Sequence, residues 1–97
     1  MRQEICNAIT NRAMLEFYHN NQLRIVEPFT LGMSKKRKIV LSAYQTGGTS
    51  NDREIPGWGL FSLDKISNLR VLNQNFLGNR EGYSRSDSRM IEIYCEI

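Results

Sequence analysis

At 97 residues the chain can close one modest hydrophobic core, which argues against a second independent domain. No stretch approaches the roughly 18 consecutive apolar residues of a membrane span, and Met1-Arg2-Gln3-Glu4 opens on no long apolar leader, so the cytoplasm is the default location and no membrane partner is expected. The formal net charge of +3 permits an anionic partner without demanding one.

Ile5, Ala8, Ile9 and Arg12 recur at helical spacing, which predicts a short N-terminal helix that lays one apolar stripe on a sheet and ends at Asn11 or Arg12. From Met14 to Tyr18 the period changes to alternation, with Leu15 and Phe17 on one face, and Asn20-Asn21 is a hairpin signal ahead of the strand Leu23 to Val26. Pro28 cannot donate to a ladder, so the second strand should bend or lie at an edge there before resuming through Phe29, Leu31 and Met33. Ser34-Lys35-Lys36-Arg37 reads as a charged turn into a third strand, Lys38 to Tyr44. Gln45 to Asp52, with Gly47 and Gly48 adjacent, reads as a long polar loop. A fourth strand runs from Trp58 to Leu63, Asp64-Lys65 turns the chain, and Ile66 to Leu72 keeps no clean period. Asn73 to Ser88 is polar and extended, and Met90 to Ile97 alternates strictly, with Ile91, Ile93, Cys95 and Ile97 on one face.

The predicted architecture is mainly β with one N-terminal helix. Residues 1–72 make a small, partly open barrel, and 73–97 a C-terminal extension whose terminal strand belongs to the same compact unit. Leu15, Phe17, Ile25, Leu31, Leu41, Ala43, Phe61, Leu63 and Ile66 should share one core. The apolar face of the last strand has to be covered by the chain's own sheet or by a second subunit, so a homodimer through this strand is the alternative to pairing within the monomer. Cys6 falls in the helical pattern and Cys95 in the strand pattern, which favours two buried thiols over a disulfide or a metal site.

Enzyme chemistry finds little support. The single histidine, His19, sits beside the hairpin turn with no Cys, Asp or Glu at metal or triad spacing, and reads as a surface or hairpin residue. Asp64 at a strand end and Glu27 before a proline suggest structural roles, and Gly47-Gly48 and Gly57-Trp58-Gly59 lack the spacing and lysine of a nucleotide cradle. No catalytic residue, metal or cofactor is expected. The basic residues allow two readings each. Lys35, Lys36, Arg37 and Lys38 suit either a solvated turn or a phosphate contact surface. Arg80, Arg85 and Arg89, interleaved with Tyr83, Ser84, Ser86 and Ser88, suit either a disordered connector or backbone-and-stacking contacts to a single nucleic-acid strand.

Three segments in order, Arg24-Ile25-Val26-Glu27-Pro28, Ile39-Val40-Leu41 and Phe61-Ser62-Leu63-Asp64-Lys65-Ile66, resemble the WYL domain. Its members have an N-terminal helix, a hairpin ending in an Arg-x-Val-Glu-Pro-like segment, the name-giving Trp-Tyr-Leu strand and a strand ending Phe-x-Leu-Asp-Arg-Ile. The likeness covers Glu4 to Leu72, and 73–97 falls where many members carry a C-terminal extension. It implies an Sm-like or SH3-like barrel that senses nucleic-acid strands or nucleotides in bacterial transcription regulators and phage-defence systems. The implied ligand groove is lined by the signature Tyr and by basic or polar residues of neighbouring strands.

Carried over residue by residue, the resemblance places Arg24 and Lys65 in the ligand site, with Tyr44 on the signature strand and Arg37 in the basic turn completing the candidate set. The signature Trp and Tyr are Ile39 and Val40 here, and Gly59 and Ser62 stand where the family often has arginines beside the Phe, which removes guanidinium groups able to hold phosphate bidentately. The expected function is ligand sensing, with a nucleic-acid strand or nucleotide as partner. The alternative is a protein-interaction or dimerisation module whose groove no longer binds a ligand. Only about a dozen residues precede the first strand, too few for the helix-turn-helix region that most such regulators carry. The chain is therefore expected to be an excised sensor or a module acting through a partner.

Overall fold

The computed structural model describes residues 1–51 and 53–97. Helix α1, Arg2–Asn11, buries the stripe Ile5, Ala8 and Ile9, and stops where Arg12 turns left-handed at φ 55° and returns its N–H to the last carbonyls, as the spacing predicts. Strand β1, Ala13–His19, joins β2, Gln22–Ser34, through Asn20 and Asn21 at φ 53° and 62°. Asparagine tolerates the left-handed region that a two-residue hairpin requires.

Strand β2 organises the sheet. It pairs with β1 as far as Val26, with β3 (Ile39–Gly48) along its length, and from Thr30 onward with β6 (Met90–Glu96). Pro28, which lacks a donor, falls between the end of one pairing and the start of the other, and the register with β3 slips beside it. Strand β4, Gly57–Ser62, lies on β3; a single 3-10 turn, Leu63–Lys65, leads into β5, Ile66–Asn75, on β1. The result is one six-stranded antiparallel sheet in the order β4-β3-β2-β1-β5, with β6 on β2; it does not close into a barrel.

Several expectations need correction. The loop predicted from Gln45 is strand through Gly48, because Gly47 and Gly48 pair with Ile25 and Arg24; a side chain at Gly48, at φ 89°, would run into the Leu23 carbonyl. Asp52, the end of that predicted loop, lies outside the described residues. Strand β5 outruns Leu72, and two register slips against β1 account for its missing period. The strict alternation of the last strand fails in the same way: two slips against β2 bury Met90 while Ile91 stays half-exposed. Ile25 is not core, since the pairs Leu15–Val26 and Phe17–Arg24 turn Val26 inward instead.

The largest correction is covalent. Cys6 and Cys95 are not separate thiols but a disulfide, with Cα atoms 5.7 Å apart across 89 residues of sequence. Helix α1 crosses the sheet beside β6 and brings the two cysteines together, which no local pattern could show. Disulfides persist in oxidising surroundings, so this bond lends no support to the cytoplasmic location expected from the sequence. No helix among the described residues is long and apolar enough to cross a membrane.

The two faces of the sheet are covered differently. On the inner face, Leu15, Phe17, Val26, Leu41, Ala43 and Phe61 pack under α1 in a single core. On the outer face, residues 76–89 cross back over the strands. Phe29, fully buried, is the hub: Trp58, Phe76 and Tyr83 surround its ring at centroid distances of 4.8, 5.5 and 5.0 Å.

Candidate nucleic-acid interface on the outer face

Alternation sets the outer surface of β3 and β4. Cross-strand pairs Val40–Ser62, Ser42–Leu60 and Tyr44–Trp58 point away from α1. The crossing segment leaves two concavities over these pairs. One, of about 420 Å³, lies between Trp58, Ser42 and the run 82–89. The other, of about 500 Å³, has Val40, Leu60 and Ser62 as its floor and Lys35, Lys36 and Lys38 at its rim. Ser88 and Arg89 form a wall common to both.

The crossing segment is fixed at discrete points. Arg80 donates from Nε and Nη2 to the two carboxylate oxygens of Glu27 at 2.8 and 2.9 Å, and its guanidinium stacks 4.4 Å over the Tyr44 ring. The Trp58 indole N–H donates to the Glu81 carbonyl at 2.8 Å, and the Tyr83 hydroxyl to the Ile97 carbonyl at 2.8 Å. Burial pushes the Tyr83 phenol up from its ordinary value. Arg85 bonds Glu96, whose carboxyl is held low by the Ser86 N–H first and then by Arg85. Arg89 grips Asp87 at 2.6 Å and holds that carboxyl below its usual range. The arginines predicted to meet a nucleic-acid strand are thus committed within the chain, and the segment is an ordered strap, not a loose connector.

The lysine run behaves differently. Lys38 pairs with Asp64 at 3.3 Å, whereas Lys35, Lys36 and Arg37 make no ion pair among the described residues. Lys35 and Lys36 therefore bring uncompensated positive charge to the rim of the larger concavity.

The four candidate residues do not share one groove. Arg24, on β2, is buried on the inner face at the end of the core, where it donates to Gln45 Oε1 at 3.3 Å and to the Thr49 carbonyl at 3.0 Å. Arg53 bonds the same Gln45 oxygen and lies over the Phe61 ring, in space that a side chain at Gly59 would fill. His19 belongs to this cluster, its ring edge-on to Phe61 at 5.2 Å and neither nitrogen with a hydrogen-bond partner among the described residues. It ends the hairpin strand, as expected, but is buried instead of lying at the surface. Burial lowers its pKa, and the charges of Arg24, Lys65 and Arg53 lower it further. Lys65, exposed on the 3-10 turn, is near enough to act on His19 but lines neither outer concavity. Arg37 occupies the left-handed position of the β2–β3 turn at φ 64°. Tyr44 is on the outer face, between Trp58 and Arg80.

Sequence reasoning missed Trp58 as part of a site, and it named the serine-rich run of 80–89 as a possible contact without placing it over β3 and β4. The signal available was the alternation that sets Val40, Ser42 and Tyr44 on one face; which residues cross over them could not be read locally. No group of His, Cys, Asp and Glu among the described residues is placed to hold a metal ion. Comparisons with protein-family models, curated proteins and solved structures return no match to this chain.

Proposed function

We propose that this chain is a WYL-type regulatory binding module of Sm-like or SH3-like architecture, and that it takes a nucleic-acid strand or nucleotide along the outer face of β3 and β4. The observation that carries this reading is the pair of adjoining concavities: a basic rim at Lys35, Lys36 and Lys38 at one end, and an aromatic platform, Trp58 backed by Tyr83, at the other. A single strand asks for that combination, with cations for its phosphates and a π-face for a base. The resemblance adds support, because Val40 and Ser62, the positions where the family would carry its signature Tyr and a flanking arginine, both form the floor of the larger concavity. The antiparallel meander with its one helical turn between β4 and β5 supports the Sm-like or SH3-like reading in the same way.

Titration with short single-stranded oligonucleotides over a range of salt concentrations tests the proposal. Affinity should fall steeply as salt rises. Replacing Lys35, Lys36 and Lys38 together by Gln should flatten the salt slope by about 2 units, the share of three phosphate contacts on a single strand. Absence of binding at low salt, or a slope unchanged in the triple variant, overturns it.

A further inference from the structure

We propose that the smaller concavity, beneath the strap, receives the ribose and base of a ribonucleotide, so that the strand taken by this domain is RNA in preference to DNA. This rests on the outer-face reading above and goes beyond it by assigning which part of the ligand sits where.

Charge decides the first part of the assignment. The larger concavity has lysines at its rim, whereas the two charged groups of the smaller, Asp87 and Arg89, are paired with each other and leave no net positive charge to draw a phosphate. A neutral portion of the ligand belongs beside Asp87. Trp58 supplies a platform there: its indole plane is fixed by the hydrogen bond to the Glu81 carbonyl and by the rings of Phe29 and Tyr83, and a base can stack on it without regard to sequence.

Hydrogen-bonding capacity decides the second part. Asp87 is held ionised by Arg89 and can only accept. Its Oδ1 takes the Arg89 backbone N–H and Nε, and its Oδ2 takes Nη2, which leaves a lone pair on Oδ2 for an outside donor. Around it the hydroxyls of Ser84, Ser86 and Ser88 make no side-chain hydrogen bond among the described residues, and Ser42 Oγ accepts from Arg89 while keeping its own proton to give. A carboxylate with spare accepting capacity, ringed by hydroxyls beside an aromatic plane, matches a sugar that carries a donor. The 2′-hydroxyl is the donor that ribose has and deoxyribose lacks. The adjoining lysines then receive the neighbouring phosphates.

The experiment compares a single-stranded RNA hexamer of uridines with its deoxyuridine and 2′-O-methyl counterparts, read through the emission of Trp58, the only tryptophan in the chain. RNA should bind about 10- to 100-fold more tightly than either analogue, the worth of one hydrogen bond to a charged acceptor. Asp87→Ala should abolish the preference for RNA over DNA, bringing the ratio of the two affinities to about one even though the freed Arg89 guanidinium strengthens both; the two ligand analogues carry the test alone if that variant does not fold. Equal binding of all three hexamers overturns this inference and leaves the outer-face reading standing. Tight binding of the 2′-O-methyl strand with weak binding of DNA also overturns it, since sugar pucker and not the hydroxyl would then be recognised. No binding of any hexamer at low salt overturns both.

Discussion

The two faces of the sheet bury similar strands by different means. The inner face is sealed by a helix whose Ile5, Ala8 and Ile9 share one core with Leu15, Leu41 and Phe61, a layer made of apolar surface. The outer face is crossed by a polar strap pinned by Arg80, Trp58, Tyr83 and Arg85, with space between the pins. An apolar lid has to be continuous, because any gap forfeits contacts. A strap fixed by directional bonds can stand away from the sheet between its anchors. The continuous core and the concavities of this small domain lie on opposite faces for that reason.

The largest expected effect lies on the inner face. Phe61→Ala deletes a ring that touches Phe17, His19, Arg24 and Arg53 and should cost about 3–5 kcal/mol in a denaturation experiment. A melt within about a degree or two of wild type would show that the inner core does not depend on this ring and would break the contrast.

A smaller effect is expected outside. Arg80→Ala leaves the Glu27 carboxylate, only 8% exposed, without its counterion and should cost about 1–3 kcal/mol. Hydrogen exchange should then quicken over 76–89 and stay slow in α1. If α1 loosened equally, the faces would be one cooperative unit rather than two.

The smallest effect is a pH dependence confined to the inner face. His19 titrates lower in the folded chain than its unfolded value of about 6.5, so the unfolded state takes up the proton first. Stability should be level above about pH 6.5, fall as pH drops through that value, and stop falling once the folded imidazole also charges. His19→Phe should remove that slope, as measured by melts across this range, while oligonucleotide affinity on the outer face keeps its pH profile.

What the sequence disclosed follows from the range of each interaction. Period and turn chemistry act over a few residues, and Leu15 with Phe17, Asn20-Asn21 and the helix end at Arg12 were all legible. Bulges were not: the slips that expose Ile91 and carry β3 through Gly48 depend on partner strands far along the chain. The candidate site divides in the same way. Lys35 and Lys36 announced themselves as a charge run, whereas the meeting of Trp58 with Ser84, Ser86 and Asp87 exists only after residues 76–89 have crossed the sheet. Arg24 and Lys65 came from resemblance, and they gather around His19 on the other face.

The bond between Cys6 and Cys95 ties helix α1 to strand β6 and closes the stretch between them into a covalent ring. Small domains ordinarily begin to unravel from their termini. A ring offers no such starting point, so opening has to begin in a connecting loop. A single cut in such a loop, for example between β3 and β4, would leave one covalent molecule whose new ends lie at that cut. The natural place to open this fold, or to insert another sequence into it, is therefore internal.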